Sequence, residues 1–182
     1  METTATIDPK ITMGELLQQY PGAQRALFRK YHIGGCASCG FQPTETLAGV
    51  CKRNDGIPVS EAIDHILKSH EQDLAMQVAP MELAQLRESE SGLKLVDIRT
   101  REEFEAVKIE GSLFFTQDLM QEALMRWDRS DPIAIVDHLG AKAMDAAAYF
   151  AGHEFLNVRA LRGGIDAWSQ EVDPSLPRYE LE

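Results

Sequence analysis

The chain has 182 residues, 44% hydrophobic and 26% charged, which excludes a fibrous or disordered polymer and leaves room for one domain or two small ones. Its net charge of −11 is uneven, with 9 acids and 7 bases in residues 1–75 against 20 acids and 11 bases in residues 76–182; so acidic a surface repels phosphate, and neither nucleic-acid binding nor docking on an anionic membrane is expected. No stretch approaches about 18 consecutive apolar residues, and METTATIDPKITM lacks the basic start and apolar run of a secretory signal, so a soluble cytoplasmic protein is expected.

Residues 11–72 read as short helices without strands. Thr12 and Glu15 have capping-box spacing, which predicts a helix over 13–20 with Leu16, Leu17 and Tyr20 on its apolar face. Pro21 suits the first turn of a second helix that carries Ala26 and Leu27 and stops at Gly34-Gly35. A third helix runs from Pro43-Thr44 to about Asn54 and ends in the Asp55-Gly56 turn, with Leu47 and Cys51 on one face. The fourth begins near Pro58-Val59-Ser60, where Ala62, Ile63, Ile66 and Leu67 recur at helical spacing. The expected organisation is a tail over 1–8, a small all-α domain over 9–72, a linker over 73–80 with a short strand near Met76-Gln77-Val78, and a second domain over 81–182.

The second domain alternates. Helix is expected over Pro80–Arg87, strand over Leu93–Ile98, helix over Arg101–Glu105, strand over Ser112–Phe115 and helix over Gln117–Trp127. Strand follows over Ile133–Val136, helix over Ala141–Ala151, strand over Asn157–Leu161 and helix around Ile165–Ser169. LKLVDI and IAIV are nearly continuous apolar runs, as parallel strands covered on both faces require. The fold class is therefore α/β, a parallel sheet with helices on both faces, preceded by the all-α domain.

All three cysteines, Cys36, Cys39 and Cys51, fall in the first 51 residues. A two-residue gap lets the Cys36 and Cys39 thiols converge on one point, to form a disulfide or to grip one ion. In a reducing compartment such a pair suits redox chemistry or metal better than a structural staple. Cys36, Cys39 and Cys51 together offer three soft ligands for zinc or an iron–sulfur cluster, with His32 as a fourth. The competing reading makes Cys51 a buried hydrophobe beside Leu47 and His32 an ordinary turn residue. Asp64-His65 and His70 lack a second ligand pair and read as a solvated face. Arg25, Arg29 and Lys30 follow helical spacing, either as a charged face or as a lure for an anionic partner.

Three segments, LVDIRTREEFEAVKIEGS (95–112), IAIVDHLGAKAMDAAAYF (133–150) and LRGGIDAW (161–168), resemble the rhodanese-like domain family in order, spacing and setting. The resemblance implies a sulfurtransferase fold whose active members carry a persulfide-forming cysteine directly after the central strand, in a loop lined by backbone N–H groups. Here that loop is Asp137-His138-Leu139-Gly140-Ala141-Lys142. A carboxylate forms no persulfide, and it repels an anionic donor about 4 Å away by roughly 4 kcal/mol at a surface-like dielectric. Ordinary thiosulfate sulfurtransferase activity is therefore not expected. Asp137 is either an anion that caps the loop amides or a catalytic carboxylate, and His138 either a solvated loop residue or its assistant. Asp97 and Arg99 are expected to organise the turn after their strand, Gly163-Gly164 to form a tight turn, Trp168 to pack a helix, and the Glu-rich segment 102–105 to be surface. Val107-Lys108-Ile109-Glu110-Gly111-Ser112 keeps the family pattern only at Ile109 and Gly111.

Residues 9–70, with their helix-to-Gly-Gly-Cys transition, resemble a small helical family described as a redox-disulfide domain associated with hybrid cluster proteins, related to the front domain of iron–sulfur cluster repair proteins. That resemblance implies a redox role for Cys36 and Cys39. The expected function is a binding protein of redox or sulfur metabolism, whose partner is a protein or a small anionic or sulfur-containing ligand. Sulfur relay through the front cysteines, and zinc or iron–sulfur binding through Cys36, Cys39 and Cys51, are the alternatives.

Overall fold

The computed structural model describes residues 6–34 and 40–179, so the Cys36 and Cys39 readings lie outside the described residues. The chain forms two compact units, Met1–Ala75 and Met76–Glu182. Among the described residues no helix is long and apolar enough to cross a membrane.

The first unit is built from α1 (Met13–Gln19), α2 (Ala23–Tyr31), α3 (Leu47–Arg53) and α4 (Val59–Met76). The expected capping box is present: Thr12 Oγ1 accepts the Glu15 amide, and Glu15 Oε2 accepts the Thr12 amide at 3.1 Å. Helix α3 starts at Leu47 and not at Pro43-Thr44, because the backbone before it serves α1. The Pro43 carbonyl accepts the Gly14 amide at 2.9 Å and the Glu45 carbonyl the Met13 amide at 2.8 Å. Thr46 then caps α3 by accepting the Gly49 amide. Helix α2 starts at Ala23 rather than Pro21, since the chain first turns so that the Ala23 amide reaches the Tyr20 carbonyl. Met13, Leu16, Leu27, Leu47, Val50 and Ile66 are buried at the centre of this unit.

Helix α4 runs into the segment expected to be a linker. Its Asp73, 8% exposed, pairs with Arg25 at 2.6 Å and so ties the last turn to α2; a carboxylate this deep needs such a partner. The solvated reading of the α4 histidines is also corrected. His65 Nε2 lies 3.1 Å from the Ala26 carbonyl, and the His70 ring meets Tyr20 edge-on at 5.0 Å, so both pack inward.

The second unit contains β1 (Gln77–Val78), α5 (Pro80–Ser89), β2 (Lys94–Asp97), α6 (Arg101–Ala106), β3 (Leu113–Phe114), α7 (Gln117–Arg126), β4 (Pro132–Val136), α8 (Ala141–Gly152), β5 (Asn157–Leu161) and α9 (Gly164–Glu171). All strand pairs are parallel, in the order β1-β5-β4-β2-β3. Successive side chains of a strand point to opposite faces. Ile133 and Ile135 of β4 accordingly pack with Ala147 and Phe150 of α8 and Ala123 of α7. Ala134 and Val136 pack with Leu83 of α5 and with Ile165 and Trp168 of α9. Covering both faces is what the unbroken apolar runs predict.

Candidate functional site

Strands β2 and β4 are neighbours and end in register, Asp97 beside Val136. The loops leaving their carboxyl ends enclose a cavity of about 210 Å³, lined by Arg99, Thr100, Glu103, Asp137, His138 and Lys142 among others. In open parallel sheets this end of the strands is where ligands bind.

The loop Asp137–Lys142 is folded around its own carboxylate. Asp137 is 5% exposed. Its Oδ1 accepts the Gly140 amide, and its Oδ2 accepts the Lys142 amide at 2.8 Å, in the first turn of α8. A negative charge there satisfies helix-end donors and opposes the positive end of the helix dipole. Gly140, at φ +90°, supplies the left-handed turn into α8. The outer side of the loop rests on the next turn: the Asp137 carbonyl accepts the Ile165 amide at 2.9 Å, and the His138 carbonyl accepts the Asp166 amide at 3.2 Å. Leu139 at the loop tip is exposed, as are Ala141 and Lys142 at the start of α8.

The β2 end is held by charge. Arg99 donates through Nε to Asp97 Oδ1 at 3.0 Å and through Nη2 to Asp97 Oδ2 at 2.6 Å. Nη2 also donates to the Val107 carbonyl at 2.7 Å, which ties the end of α6 to the strand. Thr100 and Glu103 form a second capping box that starts α6.

The segment after α9 folds back over the site. Tyr179 stacks on His138, ring centroids 4.4 Å apart and planes 5° from parallel. Its carbonyl lies 3.0 Å from His138 Nε2. Its hydroxyl accepts from Arg99 Nη1 at 2.7 Å and donates to Glu103 Oε1 at 2.7 Å. His138 is therefore covered rather than solvated, and Glu103 is half-buried against Tyr179, whereas Glu102 and Glu105 are exposed as expected. Neither Tyr179 nor Glu103 stands out in the sequence; the spacing of Leu176 and Tyr179, three residues apart beyond the last helix, is the one sign of a packed segment.

Burial opposes ionisation of Glu103, but its bonds from the Thr100 amide and the Tyr179 hydroxyl outweigh this and hold its carboxyl below the ordinary value. Burial, with the Glu103 carboxylate adding, pushes the Tyr179 phenol up to about 12 against the pull of Arg99. The fold thus favours the neutral phenol. Its contribution to docking is complete below the ordinary value of 10.0 and is lost as pH rises through about 12. Titrating phenolate absorbance in the native chain and in Tyr179→Phe should yield a difference curve with its midpoint near 12. A midpoint at the ordinary tyrosine value would mean that the ring is in water.

Cys51 is 1% exposed in the core of the first unit, and burial raises its thiol above the ordinary value. That is the environment of a small hydrophobe rather than of a reactive thiolate. Among the described residues no group of three His, Cys, Asp or Glu side chains is placed to hold a metal ion.

A parallel sheet flanked by helices, whose central strand feeds a loop into a helix N-terminus, defines an α/β domain. Residues 79–171 match the rhodanese-like domain, and the chain belongs to that family. It is 24% identical over 178 residues to the adenylyltransferase and sulfurtransferase UBA4 of Scheffersomyces stipitis, a match covering 90% of this chain and 40% of that protein. The chain thus spans well under half the length of that relative. It is 29% identical over 92 residues to the thiosulfate sulfurtransferase GlpE of Pseudomonas syringae pv. syringae, covering 50% of this chain and 85% of the relative. A rhodanese-like domain protein from Staphylococcus aureus is 20% identical, with 57% of this chain and 98% of that one covered and a TM-score of 0.46. Both of the first two relatives are named as sulfurtransferases.

Proposed function

We propose that the chain is a binding protein of sulfur metabolism whose rhodanese-like domain holds a ligand or partner without passing sulfur through its loop, and whose Cys36/Cys39 pair carries the thiol chemistry. The observation that supports the reading is Asp137. It follows the central strand where active members of the family carry their sulfur, and its two oxygens already accept the Gly140 and Lys142 amides. An incoming anion would meet a carboxylate in place of a thiolate and would find those two donors taken. The purified chain is expected to transfer no sulfur from thiosulfate to cyanide above the rate of a blank. Turnover that survives Cys36→Ser/Cys39→Ser would place sulfur transfer in the back domain and overturn the reading.

Thiol trapping in growing cells tests the front pair. A disulfide or persulfide is expected at Cys36/Cys39, lost in Cys36→Ser and Cys39→Ser and unaffected by Cys51→Ser. A trace of zinc or iron that vanishes with Cys51→Ser would instead favour the metal reading.

A second reading is favoured by the sulfurtransferase names of both relatives and by the 90% of this chain that the UBA4 match covers. In it, the front cysteines supply the persulfide of a sulfur relay. Asp137→Asn separates the two: thiol chemistry confined to the front pair survives the substitution, whereas a relay that depends on the Asp137 loop falters.

A further inference from the structure

We propose that the slot between His138, Arg99 and Glu103 is a recognition site for a tyrosine-bearing extended peptide, and that Pro177-Arg178-Tyr179 fills it in cis as a displaceable strap. The inference stands whether or not the front cysteines handle sulfur.

The slot offers the three things a phenol ring can use, each from a rigid element. His138 supplies a stacking face at 4.4 Å from the loop after β4. Arg99 supplies a donor, fixed by Asp97 and by the Val107 carbonyl independently of any phenol. Glu103 supplies an acceptor; its other oxygen is fixed by the Thr100 amide at 3.0 Å. The site is therefore built before Tyr179 arrives, and preorganised groups of this kind distinguish tyrosine from phenylalanine, because the latter leaves the donor and the carboxylate unpaired. His138 Nδ1 is enclosed and has no partner among the described residues, a polar point that the strap leaves unsatisfied.

The strap is seated without a helix or strand of its own. Leu176 packs into the core, and its carbonyl accepts the Ser169 hydroxyl, which anchors the base of the segment. Farther along, Arg178 pairs with Asp166 through Nε at 2.6 Å and Nη2 at 3.0 Å; the Arg178 side chain is 56% exposed and that of Asp166 16%, so solvent reaches the guanidinium side of the pair. Tyr179 adds the stack on His138 and the hydroxyl bonds with Arg99 and Glu103. Tyr179 also lines a second cavity of about 360 Å³, with Glu102, Glu103, Ala106, Val107 and Pro177. Glu103 borders both cavities, so a strap that swings out joins the polar space beside Asp137 to this apolar one. Tethering keeps the local concentration of Tyr179 high, so a competing peptide binds the native chain weakly until the strap is released.

The test uses the full chain and a labelled peptide of sequence Ser-Leu-Pro-Arg-Tyr, the strap's own residues 175–179. By fluorescence anisotropy, Tyr179→Ala is expected to bind it at least about tenfold more tightly than the native chain. A peptide with Phe in place of Tyr is expected to bind that variant about tenfold more weakly, the loss appropriate to hydrogen bonds with charged groups. Equal binding by variant and native chain, or equal binding of the two peptides, overturns the proposal. Should Tyr179→Ala not fold, Tyr179→Phe keeps the stack and removes only the hydroxyl. Chymotrypsin is then expected to cut at position 179 several-fold faster than in the native chain, with other cuts unchanged. Equal rates there would likewise overturn it.

Discussion

Arg99→Ala is expected to lower the unfolding free energy of the second unit by about 3–5 kcal/mol, the usual cost of stranding one member of a buried ion pair. Asp97 is 0% exposed and Arg99 7% exposed. Removing the guanidinium leaves the Asp97 carboxylate facing protein interior and leaves the Val107 carbonyl without its donor. Tyr179 loses its partner in the same step. Burial works against the Arg99 charge, yet the Asp97 and Tyr179 bonds raise its pKa overall, so the pair holds its proton firmly. Replacing both charges, as in Asp97→Leu/Arg99→Met, should recover most of the loss, because no orphaned charge remains. Urea unfolding of the two variants checks this. A cost below about 1 kcal/mol for Arg99→Ala would mean that water reaches Asp97, since pairs in water are worth no more.

Gly164→Ala is the second large effect, expected to cost more than about 3 kcal/mol and to leave much of the chain insoluble. Gly164 has φ +60°, and a Cβ there would lie 2.3 Å from the His138 carbonyl oxygen and 2.5 Å from that of Asp137. Those atoms are backbone already engaged by the Ile165 and Asp166 amides, so neither can step aside. Gly152→Ala is the contrast. A Cβ there meets nothing within 4 Å at the end of α8, so a neutral or slightly stabilising change of up to about 1 kcal/mol is expected. Thermal melting of the two variants should separate them clearly. If Gly164→Ala melts with the native chain, the loop does not rest on the Gly163-Gly164 turn.

The parts of the molecule that announce themselves in the sequence are those governed by neighbours. The Thr12/Glu15 capping box needs residues three apart, and the apolar runs of β2 and β4 follow from cover on both faces. Asp137 could be placed in the loop between β4 and α8 because strand, loop and helix occur in series. What escapes is long-range and side-chain mediated. Tyr179 reaches Arg99 across 80 positions and Glu103 across 76, through bonds that leave no periodic trace. Asp73 is similar: as one of two acids near the end of α4 it reads as linker, and its burial there goes with its pairing to Arg25, 48 positions earlier. Helix α3 is shortened for the same kind of reason, since the carbonyls of Pro43 and Glu45 are claimed by α1 rather than by their own helix.

The strand order has a consequence for the chain as it is being made. Strand β1 is the first of the second unit to be synthesised, yet Gln77 pairs with Ala160 and Val78 with Leu161, in the last strand. Strands β2, β3 and β4 can associate as they emerge, while β1 must wait at the open edge for β5, and such distant closures are the slow ones. The turn at Gly163-Gly164 follows directly on β5, so the carbonyls of Asp137 and His138 gain their partners only at that final step. The Asp137 loop thus matures late in the domain, and a nascent chain halted before Leu161 would carry Asp137 without the support that shapes it.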